Sequence, residues 1–296
     1  MKRLHRTLLS WIVVTILLAA CSPVPASVTP SSTPTATIAA TATATLEPMA
    51  LSINGVGVSL AEYQQEIQRL QDAQTQLGIT STTGEQSQKV LADLTDQLLL
   101  QQGAQQGGYS VDDAALQDRI DQLAAKMGGP EKLTAWETAN YYTDGTFRQA
   151  LRRSIEVAWQ RDQIINSVPT TADEIHARQI LVQTPETANS ILTQLKAGAD
   201  FATLALDYDP TTGGDLGWFP KGYLLQPEVE TAAFALQPGQ FSEVIHSAIG
   251  YHIIFVMERD AAHELTPDAR RVLQEKKLSE WLDAAKAASQ ILINVP

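Results

Sequence analysis

Two short stretches and one side chain hold the groups whose types and spacing could do chemistry. "IHARQILV", residues 175–182, reads as a strand with an imidazole at its mouth. An imidazole titrates near neutral pH, so His176 is the first candidate for acid–base work. Strand residues alternate faces, and His176 and Gln179, three apart, face opposite sides of a regular strand. Any site on one face can use only one of them. "GGDLGWF", residues 213–219, is the second stretch. Gly213 and Gly214 allow positive φ and close backbone approach. Asp215 can bond loop amides, and Trp218 and Phe219 supply apolar mass where a loop meets a sheet. These properties describe a scaffold turn first. The single side chain is Cys21, the only cysteine in 296 residues.

The elements that must position these groups follow from periodicity. "LSINGVGVSLAEYQQEI" opens with an apolar alternation broken by Asn54-Gly55, a hairpin signal. Ser59 with Glu62 three residues later reads as a capping box that starts a helix. Helices are predicted at about 60–77, 85–106, 111–126, 130–138 and 143–166, with Ser110 capping the third and Phe147, Leu151, Ile155 and Ala158 forming one apolar stripe on the last. Val168-Pro169-Thr170 ends that run. A mixed segment follows: strand 176–183, helices 185–197 and 200–207, loop 208–222, helix 226–235, and strands 242–246 and 251–258. A helix over 266–289 starts at Thr266-Pro267, a cap followed by proline at the first helical position. The closing run "ILINVP" is strand-like and is expected to pair with 51–58, closing a helical domain around the inserted segment.

The N-terminus is different in kind. Lys2, Arg3 and Arg6 precede an apolar run from Leu8 to Ala20, the pattern of a secretory leader and short for a membrane span. Leu18-Ala19-Ala20-Cys21 resembles the lipobox of bacterial lipoproteins, which implies cleavage before Cys21 and acylation of its sulfur and new amino group. Several acyl chains on one residue would hold a protein stably, where a single chain does not. Residues 21–48, rich in Ser, Thr, Pro and Ala, cannot bury a core and read as a stalk with a reach of roughly 30 Å. The net charge is −12, and removing the leader makes it more negative. Such a chain is a poor nucleic-acid binder and a poor electrostatic partner for anionic lipid.

The segment 213–259 also carries a resemblance. Gly213-Gly214-Asp215-Leu216-Gly217-Trp218-Phe219, Ala232-Ala233-Phe234, Leu236-x-Pro-Gly239 and Gly250-Tyr251-His252-Ile253-Ile254 resemble the parvulin-type peptidyl-prolyl isomerases, over about 170–260. The whole layout is similar to the SurA/PrsA-like extracytoplasmic foldases. The resemblance implies an α+β fold. A mainly helical SurA-like domain (49–168, closed by the C-terminal helix and strand at 263–296) would carry an inserted parvulin domain at 169–262, a small antiparallel sheet flanked by helices. It implies a catalytic set of His252, Gln179, Asp209 and Ser247, with Gln179 where the family has its first histidine. It implies a proline pocket lined by Leu216, Leu225, Val229 and Phe234. It makes His176 a rim or opposite-face residue. No cofactor or metal is implied. The partners would be unfolded exported chains with X-Pro bonds and, through Cys21, a membrane on its extracytoplasmic side; a homodimer is permitted.

Two departures from the family pattern bear on activity. Glutamine keeps donor and acceptor capacity at 179 but not imidazole titration. Val229 is smaller than the usual pocket Phe or Met. "VQTPETANS" has no Lys or Arg, which argues against phospho-Ser/Thr-Pro preference. Two readings therefore stand side by side: an anchored isomerase, and a chaperone that binds unfolded chains through a degenerate parvulin module.

Overall fold

The computed structural model describes residues 47–295. The expected leader at 1–20, Cys21 and nearly all of the stalk lie outside the described residues.

A hairpin and a run of helices open the described chain. A hairpin of β1 (Met49–Ile53) and β2 (Val56–Ser59) turns at Asn54-Gly55, both with positive φ. The helices α1 (Leu60–Gln76), α2 (Thr83–Gln106), α3 (Asp113–Met127), α4 (Pro130–Ala139) and α5 (Asp144–Asn166) follow. The mixed segment is β3 (Thr171–Val182), α6 (Pro185–Lys196), α7 (Phe201–Tyr208), β4 (Asp215–Pro220), α8 (Pro227–Phe234), β5 (Ile245–Ser247) and β6 (Gly250–Glu264). The chain returns to the helical part through α9 (Pro267–Ala287) and β7 (Ile291–Ile293).

β7 pairs antiparallel with β1, Leu51 opposite Ile293, in a three-stranded sheet ordered β2-β1-β7. The two ends of the described chain thus close one domain. Its core joins Leu51, Ile53, Val58, Leu94 and Leu98 to Trp281 and Leu282 of α9. A second core packs Leu116, Ile120 and Leu133 against Phe147.

Several local expectations are corrected. Ser59 accepts from the Glu62 amide, but the Glu62 carboxylate does not return to the cap; it takes the Arg153 guanidinium at 2.5 Å. Asp112, not Ser110, caps α3. The stripe on α5 is interrupted by two buried charged groups. Arg153 is one, and Glu156 is the other, accepting from Gln101, Gln105 and the Val111 amide. Side-chain partners, not apolarity, bury this turn. The loop expected over 208–222 contains β4, an edge strand whose bulge beside Gly217 hides its β character from periodicity.

The inserted sheet is ordered β4-β3-β6-β5, all antiparallel. Each face has its own core. Ile180, Val182 and Ile253 pack under α6 and α7, through Ile191, Leu195 and Phe201. Ile175, Ala177, Ile254 and Val256 pack under α8, through Val229, Ala233 and Phe234.

Candidate active site

The α8 face of the sheet carries the polar groups. Strand β6 places His252 opposite Leu181, and Gln179 lies two residues along β3 on the same face, a diagonal cross-strand pair. His252 Nδ1 lies 3.0 Å from Gln179 Oε1, and its Nε2 lies 2.7 Å from Ser247 Oγ. A carbonyl oxygen only accepts, so Nδ1 carries the proton and Nε2 accepts from the Ser247 hydroxyl. Ser247 Oγ in turn accepts from the Ile249 amide at 3.1 Å. The ring is 1% exposed. Burial holds its pKa below the ordinary histidine value, against a weaker upward pull from Glu228. The result is a neutral imidazole of fixed tautomer, held by two neutral partners.

Asp209, at the end of α7, does not join this set. Its carboxylate accepts from the amides of Thr211, Thr212 and Gly214 and from the Thr212 hydroxyl. The Thr212 hydroxyl, then the amides, hold its carboxyl below the usual range. Its contacts all shape the loop, so its influence on the imidazole is indirect. Gly214 carries that influence: its carbonyl accepts from the Gln179 amide at 2.8 Å. Gly214 has φ +69°, and a Cβ there would overlap the Gln179 carbonyl oxygen. Only glycine permits this approach.

Leu216 is the extra residue of a bulge in β4, since Ala177 pairs with Gly217 and Arg178 with Asp215. A bulge re-aims a side chain. Leu216 joins the cluster containing Val229 and Phe234, and Phe234 meets Phe219 edge-on at 6.0 Å. Leu225 does not line this cluster: it stands 91% exposed on the turn before α8. The turn is tied by Glu230, whose carboxylate accepts from the amides of Gly222, Tyr223 and Leu224, leaving Leu225 outside.

His176 faces away from Gln179, as alternation requires. The bulge beside it falls at Met257 on β6, so β3 keeps its regular alternation. His176 is not idle. Its Nε2 lies 2.8 Å from Asp215 Oδ1, and its ring stacks on Trp218 at 5.6 Å. His263 also stacks on Trp218, at 4.2 Å, and bonds the buried Glu174. The same Asp215 oxygen accepts from the Gly217 amide. Burial opposes ionisation of Asp215, but the Gly217 amide and His176 outweigh it and hold its pKa low. The sequence signal for this was Asp215 beside two glycines. The partner histidines and the Glu230 clamp had none, because their contacts are long-range.

The PPIC-type PPIase domain family matches residues 170–258, and the SurA-like N-terminal domain family matches residues 1–154, just over half of the chain. Foldase protein PrsA of Halalkalibacterium halodurans is 46% identical over 96 residues, 31% of this chain and 28% of that protein. The PrsA foldase of a Geobacillus species is 40% identical over 123 residues, 40% of this chain and 44% of that protein. That of Caldanaerobacter subterraneus is 30% identical over 241 residues, 68% of this chain and 71% of that protein. The chain thus spans less than half the length of the first two and about seven-tenths of the third. Fold and site define a PPIC-type peptidyl-prolyl isomerase domain carried by a SurA-like helical domain. The chain belongs to the PrsA foldase family.

Proposed function

We propose that the protein is a peptidyl-prolyl cis-trans isomerase that assists exported chains, held at the membrane by acyl chains on Cys21. The observation that carries the reading is the neutral Gln179–His252–Ser247 network on the sheet face that also holds Leu216, Val229 and Phe234. Rotation about X-Pro meets a barrier of about 18–20 kcal/mol because twisting costs amide resonance. No covalent step is needed. The apolar cluster would hold the proline ring, exclude water from the carbonyl and favour the twisted amide. Gln179 spends its oxygen on His252, which leaves its amide N–H groups to bond the rotating unit. A neutral His252 suits this work, since it orients Gln179 and carries no charge that substrate binding would have to desolvate.

The test is a proline-limited refolding assay with the purified chain. His252→Ala and Phe234→Ala should each lower the acceleration by roughly tenfold or more. Suppressed aggregation without acceleration would establish a second reading, a chaperone with little turnover, which Gln179 and the exposed Leu225 favour. Anchoring is tested separately: incorporation of labelled fatty acid should disappear in Cys21→Ser.

A further inference from the structure

The helix α9 has two attachments. Most of its length belongs to the helical domain. Trp281, Leu282 and Ala285 pack in that domain's core, Lys286 pairs with Asp96 of α2 at 2.7 Å, and Gln274 donates to the Ile165 carbonyl of α5 at 3.2 Å. Its first turns reach the isomerase domain. Asp268 accepts from the Tyr223 hydroxyl at 3.1 Å. Further along, the Lys276 side chain lies over Gly222: a Cβ on that glycine would stand 2.7 Å from Lys276 Nζ.

Gly222 and Tyr223 belong to the turn between β4 and α8. Glu230 ties that turn from the α8 side, through the amides of Gly222, Tyr223 and Leu224. The turn lies between regular elements, so side-chain bonds of this kind fix its place. Leu224 and the Tyr223 ring pack against the apolar cluster of Val229, Ala233 and Phe234. One wall of the cluster therefore hangs from two supports, a carboxylate on α8 and a carboxylate on α9. The second support is well defined. Burial first, then the bond to Asp268, raises the Tyr223 pKa, so the hydroxyl stays protonated and donates. Asp268 is itself oriented: Arg271 donates to its Oδ1 at 2.7 Å, while its Oδ2 takes Tyr223. A bond outside the cluster changes what the cluster holds by setting where the wall stands.

We propose that Asp268 is a positioning residue for the proline site: through the Tyr223 hydroxyl it fixes the turn 222–224, so that a helix of the SurA-like domain completes the apolar cluster of the isomerase domain. The inference rests on the reading of that cluster as the seat of the proline ring. It adds that the inserted domain does not form this seat alone.

The experiment titrates the purified full chain with a blocked Ala-Pro peptide and follows it by NMR. Shifts give Kd, and exchange between the cis and trans signals gives the rate at saturation. Tyr223→Phe and Asp268→Ala should each raise Kd roughly threefold to fivefold and leave the saturated rate within about twofold. Asp268→Asn separates positioning from helix stability. Like alanine, asparagine lacks the charge that favours the α9 N-terminus and pairs with Arg271, but its amide can still bond the Tyr223 hydroxyl. Its Kd should stay within about twofold of the natural value. The double variant Tyr223→Phe, Asp268→Ala should bind no more weakly than either single one. Circular dichroism shows whether each variant is folded. A natural Kd in Tyr223→Phe would overturn the proposal. So would equal losses in Asp268→Asn and Asp268→Ala, or losses that add in the double variant. A natural chain that binds the peptide without speeding exchange would sink the isomerase reading, while the Kd values would still decide this one. A natural chain that does not bind the peptide would overturn both.

Discussion

His252 and His176 sit on the same four-stranded sheet and are used in opposite ways. His252 is buried, and both partners of its ring, the Gln179 amide and the Ser247 hydroxyl, are neutral. His176 is partly exposed and bonds a carboxylate, Asp215. Burial favours the uncharged form of the His252 ring. Depth and partners assign the roles, not the presence of an imidazole. The loop Asp209–Gly217 lies between the two systems and touches both, through Gly214 on one side and Asp215 on the other.

Breaking that shared loop should have the largest effect. Gly214→Ala forces a Cβ onto the Gln179 carbonyl at positive φ. The expected cost is on the order of 3 kcal/mol, read as a lowered urea midpoint of the native fold. Next comes His252→Ala, which leaves a cavity and strips both Gln179 and Ser247 of a partner. A loss of about 2–4 kcal/mol is expected in the same melts. Asp209→Ala removes the loop cap while leaving the imidazole network intact. Its isomerase activity should fall by less than that of His252→Ala, with KM for a proline peptide rising more than kcat falls.

Acid should separate the two systems. His252 has a folded pKa below its unfolded value of about 6.5, so the unfolded state binds more protons just below that pH. Its contribution to stability is complete above about 6.5 and is lost as pH falls toward the folded value. Asp215 also has a lowered pKa, and its contribution is complete above about 3.9 and is lost on further acidification. The urea midpoint should therefore decline in two steps, and His252→Gln should abolish only the upper one. The smallest effect belongs to His176→Gln, which removes a partly exposed side-chain hydrogen bond to Asp215. It should cost under about 1 kcal/mol and leave turnover nearly unchanged.

Much of this arrangement is legible in the chain, for identifiable reasons. Asn54-Gly55, Thr266-Pro267 and the apolar stripe of α6 are local signals, and the structure follows them. Pairing of the terminal strands follows from two apolar runs that have no other edge to cover. The opposite facing of His176 and Gln179 follows from period two alone. What sequence does not reveal is long-range and polar. Arg153 diverts Glu62 from its expected cap, and Glu156 replaces apolar contact with three donated hydrogen bonds. Leu225 falls outside the apolar cluster because Glu230 ties down the turn that carries it. β4 is hidden because its register depends on a bulge, not on alternation.

The most direct test of the account is exchange NMR on a blocked Ala-Pro peptide with a substoichiometric amount of the purified chain. Cis–trans exchange, normally tens to hundreds of seconds, should quicken in proportion to protein concentration, and Gln179→Leu should remove that acceleration while the peptide still binds. Peptide signals that shift on binding while the exchange rate stays at its uncatalysed value would contradict it.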